Sequence, residues 1–280
     1  MPKLHVLLKR EEIDPARLEG KVIIVLDILF ATTTIVHAFA QGARRIHPVR
    51  DREEGLRAAA ALDACVLAGE HMARPIPGFA PATPMALAAH GLADRDMIYC
   101  TTNGTQALVA VAHAAHVYVG SLLNGRALVE HVIARHAEQS VLIVCSGSLD
   151  RFNLEDFHGA GHLIAHFTRL GDYALTDAAI AALHAYRGSD SRSALGSSRV
   201  GRMMIEHALG AEVDCASDHD SLDVVPTLVD GQLVQVAGDL PLYWVLLSDP
   251  ARLVLAVAMI LGRLEILVLL AAILDRSRRM

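Results

Sequence analysis

Carboxylates, hydroxyls and glycines recur just after short apolar runs in this 280-residue chain. Asp27 closes KVIIVLDI (21–28), Glu70 closes ACVLAGE (64–70), and Thr101, Thr102, Asn103, Gly104 and Thr105 follow DMIYC (96–100). Ser146 and Gly147 end SVLIVCSG (140–147), and Glu155 and Asp156 open the helical stretch beyond it. Hydroxyls and backbone N–H groups at a helix start attract an anion such as phosphate. TTNGT offers that arrangement once, and ATTT (31–34), with Thr32 and Thr33, offers it again directly after Asp27. The hard oxygens of Asp27, Glu70, Glu155 or Asp156 suit Mg²⁺. A Mg²⁺ beside an anion site implies phosphoryl chemistry, in which the metal neutralises the transferring group and lowers the pKa of a water. The competing reading is structural: an Asp or Thr at a helix start is commonly a cap, and TTNGT is then a turn before a capped helix. No P-loop, nucleophile-elbow or zinc-protease pattern occurs.

Such groups need strand ends to hold them. From residue 3 to about 185, β-rich runs alternate with helical stretches. KVIIVLDI reads as a buried strand and TTTIVHAFAQGA (32–43) as a helix closed by Gly42. RRIHPV (44–49) reads as a strand, DREEGLRAAAALDA (51–64) as a helix, and ACVLAGE as a strand entering a loop rich in Pro and Gly over 71–84. DMIYCTT (96–102), HVYVGS (116–121) and SVLIVCSG are further strands, each followed by a helical pattern. The alternation predicts an α/β layer fold with a mostly parallel sheet. Ligands in such sheets bind beyond the carboxyl ends of the strands, and polar groups at four of those ends point to one shared cleft.

Composition narrows the partners. With 53% hydrophobic and 20% charged residues, the chain is not a disordered one. A net charge of −6 and only 4% aromatics argue against nucleic acid. Cys65, Cys100, Cys145 and Cys215 form no C-x-x-C pair and read as packed thiols of a reducing compartment. With no secretory signal at the N-terminus, a cytoplasmic location is expected. His71 follows a carboxylate and could protonate a leaving oxygen, or be a surface loop residue. His158 lies on the helix opened by Glu155 and is expected to be solvated or packed. The other histidines have no metal-ligand spacing and are expected at the surface.

Four segments, VLDILFATTTIVHAFAQGA, LAGEHMARPIPGFAPATPMAL, CTTNGTQALVAVAHAAHVYVGSLLNG and VCSGSLDRFNLEDFHGAGHLI, resemble in order and spacing the 2-phosphosulfolactate phosphatases. LDVVPTLVDGQLV (222–234) resembles that family's C-terminal end. The resemblance covers about residues 3–235 and implies a three-layer α/β/α sandwich, here a domain at 1–236. It also implies Mg²⁺-dependent hydrolysis of 2-phosphosulfolactate to sulfolactate and phosphate, a step of the coenzyme M biosynthesis type. On this reading Asp27, Glu70 and His71 are catalytic, and Asp27, Glu70 and Asp156 hold the metal. The small phosphorylated acid falls to Thr32, Thr33, Arg74, Thr101, Thr102, Asn103, Gly104, Thr105, Ser146 and Gly147. The chain differs from the family pattern at Phe30, His71 and Gln106, where arginine is usual, and has Ala82-Thr83-Pro84 in place of Asn-Ser-Pro. Arginine grips phosphate or sulfonate through a planar fork of donors that Phe, His and Gln do not reproduce. Arg74 is a candidate to fill that gap. The alternative is a degenerate member that binds a small anion or a partner without turnover.

Beyond residue 236 the composition changes. LVLAVAMILGRLEILVLLAAIL (253–274) is long enough to span a bilayer, although Arg263 and Glu265 interrupt it. Its core resembles the last membrane segment of Trk-type potassium-uptake transporters. A second unit at 237–280 is therefore expected, with one apolar helix. That helix contacts a membrane, packs on the domain, joins a homo-oligomer interface or marks a fused reading frame.

Overall fold

The computed structural model describes residues 1–236. The expected tail helix at 253–274, with its membrane and transporter-like readings, lies outside the described residues. Among the described residues, no helix is long and apolar enough to cross a membrane.

In chain order the elements begin with β1 (Lys3–Leu7), β2 (Val22–Leu26), α1 (Ala31–Ala40), β3 (Arg45–Val49), α2 (Arg52–Ala59), β4 (Cys65–His71) and β5 (Arg74–Pro75). There follow α3 (Pro84–Ala88), β6 (Asp96–Cys100), α4 (Gly104–Ala110), β7 (His116–Gly120), α5 (Gly125–His136), β8 (Val141–Cys145) and α6 (Leu154–Leu170). The last are β9 (Ala174–Leu175), α7 (Asp177–Arg187), α8 (Ser191–Ser197), α9 (Arg199–Glu206), α10 (Gly210–Ala216), β10 (Val225–Val229) and β11 (Gln232–Val236). Every strand read from the sequence between residues 21 and 147 is present.

All five residues of β2 are buried, because helices cover both faces of the sheet. Val22, Ile24 and Leu26 face a core shared with α5, α6 and α7, whereas Ile23 and Val25 face one shared with α1 and α4. This is the three-layer sandwich that the family resemblance implies, built from the α/β alternation. The sheet order is β5-β4-β6-β3-β11-β10-β7-β2-β8-β1-β9. Two parallel blocks, β4-β6-β3 and β7-β2-β8-β1-β9, are separated by the antiparallel hairpin β10–β11. The hairpin turns at Asp230-Gly231, both at positive φ, the signature of a two-residue β-turn. It is joined to each flank through a single registered pair, Thr227 with Tyr118 and Leu233 with Ile46.

The 71–84 segment departs from the loop expected there. β4 continues to His71, turns through Met72 and Ala73 at φ 53° and 58°, and returns as β5. Left-handed backbone is costly for residues with a side chain. Two hydrogen bonds hold this turn: Met72 N–H donates to Thr102 Oγ1 (2.7 Å) and Ala73 N–H to Glu70 Oε2 (2.6 Å).

The outer side of α5 carries a titratable group with a clear sign. The His136 ring lies 4.2 Å from that of His116, and its Nε2 is 2.9 Å from the Tyr118 hydroxyl. Burial, with the neighbouring His116, pushes His136 down to about 4. An unfolded histidine takes up its proton near 6.5, so between these values the unfolded chain binds the extra proton and His136 loses its stabilising effect as pH falls. Buried carboxylates titrate in the opposite sense, so the informative quantity is a difference. The melting-temperature gap between wild type and His136→Gln is expected to move against wild type as pH drops from about 7 to about 4.5. Parallel melting curves at both pH values would show that His136 has no such coupling.

Candidate active site

Asp27 stands at the exit of β2, in the short link to α1. The threonines that follow fix that link. Thr32 Oγ1 accepts the Asp27 N–H (2.9 Å), Thr32 N–H donates to the Asp27 carbonyl (2.9 Å), and the Thr33 hydroxyl donates to the Ile28 carbonyl (2.8 Å). Both side chains are fully buried. They shape the loop around Asp27 and turn no hydroxyl outward. The backbone N–H groups of Ala31 and Gly104 lie toward the Asp27 carboxylate and favour its charged form, so the starts of α1 and α4 meet over it. Only glycine permits that approach: a Cβ on Gly104 would lie 2.4 Å from Ala31 Cβ and 2.7 Å from Asp27 Oδ2.

Asp156 ties two strand exits together. Its Oδ1 accepts the Ile28 N–H (2.9 Å) and its Oδ2 the Gly147 N–H (3.1 Å). Gly147 has φ 64°, and a Cβ there would sit 2.7 Å from the Arg151 carbonyl. Glu155, one residue earlier and equally buried, receives the Ser198 hydroxyl. Its Oε1 has no hydrogen-bond partner among the described residues, and neither does the buried Ser146 hydroxyl. Burial pushes Asp27 up to about 7, helped by the charges of Glu70 and Glu155 and opposed by its two N–H donors. Burial also raises Glu155, and burial with the charges of Asp27 and Glu155 raises Asp156 well above the ordinary carboxylate range. Arg199 is the cation whose charge reaches Glu155. The cluster is therefore short of positive charge, and it presents two unpartnered oxygens. A hard dication matches that deficit.

Glu70 organises the other wall. Oε1 accepts the Thr102 N–H (2.7 Å), and Oε2 accepts the Thr102 hydroxyl (3.0 Å) as well as Ala73 N–H. Thr101 and Thr105 cap each other: Thr105 Oγ1 accepts Thr101 N–H (3.0 Å) and Thr101 Oγ1 accepts Thr105 N–H (3.1 Å). The hydroxyls of TTNGT are thus committed to the loop itself. Asn103 is held from outside, its Oδ1 accepting Arg10 Nη1 at 2.8 Å, and a weaker bond runs from that nitrogen to the Thr102 carbonyl (3.3 Å).

Other expected residues lie apart from this cluster. His71 and Arg74 are cross-strand partners in the β4–β5 ribbon and both are exposed. Side-chain alternation along a strand sets them on the face opposite Glu70. Gln106 donates its amide to the Arg50 carbonyl (2.6 Å), and Phe30 is buried in the core at the start of α1. Arg10 was not singled out from sequence, although it follows β1 at a parallel-strand exit, where ligand-facing groups collect. Glu212 was also missed: it accepts the Thr83 hydroxyl (2.6 Å) and the N–H groups of Met85 and Ala86 (both 2.9 Å), fixing the Ala82-Thr83-Pro84 loop. Its partners are more than a hundred residues away, beyond any local signal.

Gly104→Ala tests the close approach of the two helix starts. The variant is expected to lose about 1–3 kcal/mol of stability, read as a lower melting temperature, because the added methyl must displace Asp27 or Ala31. An unchanged melting temperature would mean that the contact yields freely.

Comparison with known proteins bears on the same residues. The family model described as 2-phosphosulpholactate phosphatase matches residues 7–231. A protein of Deinococcus radiodurans named probable 2-phosphosulfolactate phosphatase is 35% identical over 213 residues, covering 75% of this chain and 88% of that protein. Proteins of the same name are 32% identical in Carboxydothermus hydrogenoformans (83% of this chain, 96% of that protein) and 34% identical in Symbiobacterium thermophilum (79% and 97%).

Proposed function

The chain belongs to the 2-phosphosulpholactate phosphatase family, and on that footing we propose that it is a Mg²⁺-dependent phosphatase acting on the phosphate monoester of a small hydroxy acid. 2-Phosphosulfolactate, cleaved by water to sulfolactate and phosphate, is the substrate its relatives' names suggest. The observation that carries this reading is the buried carboxylate cluster with its unpartnered Glu155 Oε1 and Ser146 Oγ. Asp27 and Glu155 would hold the ion, with Glu70 and Asp156 fixing the loops on either side. When bound, Mg²⁺ supplies charge neutralisation at the phosphate and acidifies a water.

The chain's own groups do the remainder. Asp27, fixed by the N–H groups of Ala31 and Gly104, is placed to accept a proton at its free lone pairs. The buried, unpartnered Ser146 Oγ would donate to a phosphate oxygen once the site opens to substrate. Arg10, anchored on Asn103 with a partly exposed guanidinium, brings a fixed positive charge to the TTNGT loop. That charge partly answers the missing family arginines, whereas the exposed His71 and the engaged Gln106 do not.

Two outcomes test the reading. Chelation with EDTA should abolish phosphatase activity on 2-phosphosulfolactate and added Mg²⁺ should restore it. Asp27→Asn should cut kcat by roughly 10²–10⁴-fold while leaving the melting temperature equal or higher, since it removes a repelled buried charge. Loss of fold and activity together would mark Asp27 as structural, and undiminished turnover after chelation would remove the metal. Separately, Arg10→Gln should raise KM for this substrate about 10-fold or more, as expected for one lost charge-assisted bond. Anion binding without turnover in wild type would favour the degenerate-member reading.

A further inference from the structure

A second polar cluster lies deeper along α6, and for His162 and His166 it overturns the expectation of surface residues without metal-ligand spacing. His158, His162 and His166 recur every four residues and share one helix face. All three are buried. His162 Nε2 is 3.2 Å from Asp220 Oδ1, and His166 Nε2 is 3.0 Å from Asp220 Oδ2. Ligand atoms of His162, His166 and Asp220 all lie within 4.8 Å of one another. Asp220 belongs to the segment between α10 and β10. Its N–H donates to the Leu122 carbonyl (2.9 Å), and its Oδ1 accepts the Arg126 N–H (2.7 Å) in the first turn of α5.

We propose that His162, His166 and Asp220 form a site for a first-row transition-metal dication, with Zn²⁺ the best match, separate from the carboxylate cluster of the active site. Two imidazole nitrogens and one carboxylate oxygen are the donor set of three-ligand zinc sites, with a further position left for water. Imidazole selects such metals over Mg²⁺. Histidines four apart on one helix are the spacing that lets two rings face one ion. Glu155 is seven residues before His162, about 10 Å along the helix axis, so the two sites cannot share an ion.

The surroundings treat the two rings differently. His162 Nδ1 lies 3.1 Å from the Tyr186 hydroxyl, which can accept an N–H from it, as a ligating imidazole requires of its second nitrogen. His166 Nδ1 instead accepts a hydrogen bond from Arg169 Nη2 (3.0 Å), which places the His166 proton on Nε2, toward Asp220. Metal binding at Nε2 requires that single ring proton to move to Nδ1, by exchange with water, and Arg169 to turn away. Arg169 is exposed and has solvent to turn into. It therefore acts as a brake on affinity. The bound ion would fasten the segment carrying Asp220 to the helix whose first turn holds Glu155 and Asp156.

The full chain, freed of metal by chelation, is titrated with Zn²⁺ by calorimetry and with Co²⁺, whose visible absorption reports nitrogen–oxygen coordination. One equivalent should bind in the presence of excess Mg²⁺, and the melting temperature should rise with free Zn²⁺. His166→Gln and Asp220→Asn should each weaken binding at least about 10-fold. Arg169→Gln should tighten it several-fold, because its amide oxygen can accept the Nδ1 proton. Asp27→Asn should bind Zn²⁺ as wild type does, which separates this site from the proposed Mg²⁺ chemistry. Failure of wild type to bind Zn²⁺, or equal binding by His166→Gln, overturns the proposal. So does unchanged or weaker binding by the surface variant Arg169→Gln, whose fold is not at stake.

Discussion

Negative charge is concentrated where the water is not. Asp27, Glu155 and Asp156 are buried within reach of each other's fields, and burial raises all three. An ionised carboxylate survives in such a place only with donors aimed at it. Here the donors are mostly backbone: Ala31 and Gly104 for Asp27, and Ile28 and Gly147 for Asp156. These N–H groups come from the link into α1, the start of α4 and the β8 exit. Satisfying the carboxylates therefore dictates where α1, α4 and the β8 exit sit relative to one another. The glycines at 104 and 147 follow from the same demand, since a side chain at either would collide with the groups being brought together.

The threonine-rich stretches take their meaning from this frame. Nearly all their hydroxyls bond to neighbouring backbone or to Glu70, so they act as rigid supports for the loops. Preorganisation of that kind is what keeps donors and carboxylates fixed while charge moves. The Met72–Ala73 turn fits the pattern: a costly backbone conformation is kept because Glu70 and Thr102 each hold one of its N–H groups.

Strands covered on both faces were legible in the sequence because they must be apolar throughout, as in VIIVL and VLIVC. Their polar ends were legible too, since a charged residue directly after such a run stands out. Asp27 and Glu70 were found in that way, and Glu155 and Asp156 as acidic residues opening the next helical stretch. What stayed hidden was every relation set by distant pairing. Asp230-Gly231 announces a hairpin locally, but nothing nearby says that it will slot between β3 and β7. The histidines of α6 were read as having no metal-ligand spacing, and their arrangement gains significance only with Asp220, whose separation from His166 is 54 residues. For His71 the sequence left two readings, proton donor and surface residue, and strand alternation turned it outward.

The late position of β10 and β11 in the chain has a consequence for how the protein is made. A ribosome delivers the two parallel blocks first, and each then has an open edge, β3 on one and β7 on the other. The strands that close both edges emerge after every other described element. Until they arrive, the nascent sheet presents unpaired backbone of the kind that invites association with other chains. Closure must also await contacts between segments far apart in sequence, which slows folding. The hairpin behaves as a keystone: last of the described elements to be laid, joined through one registered pair on each side, and needed before the two halves of the sheet become one.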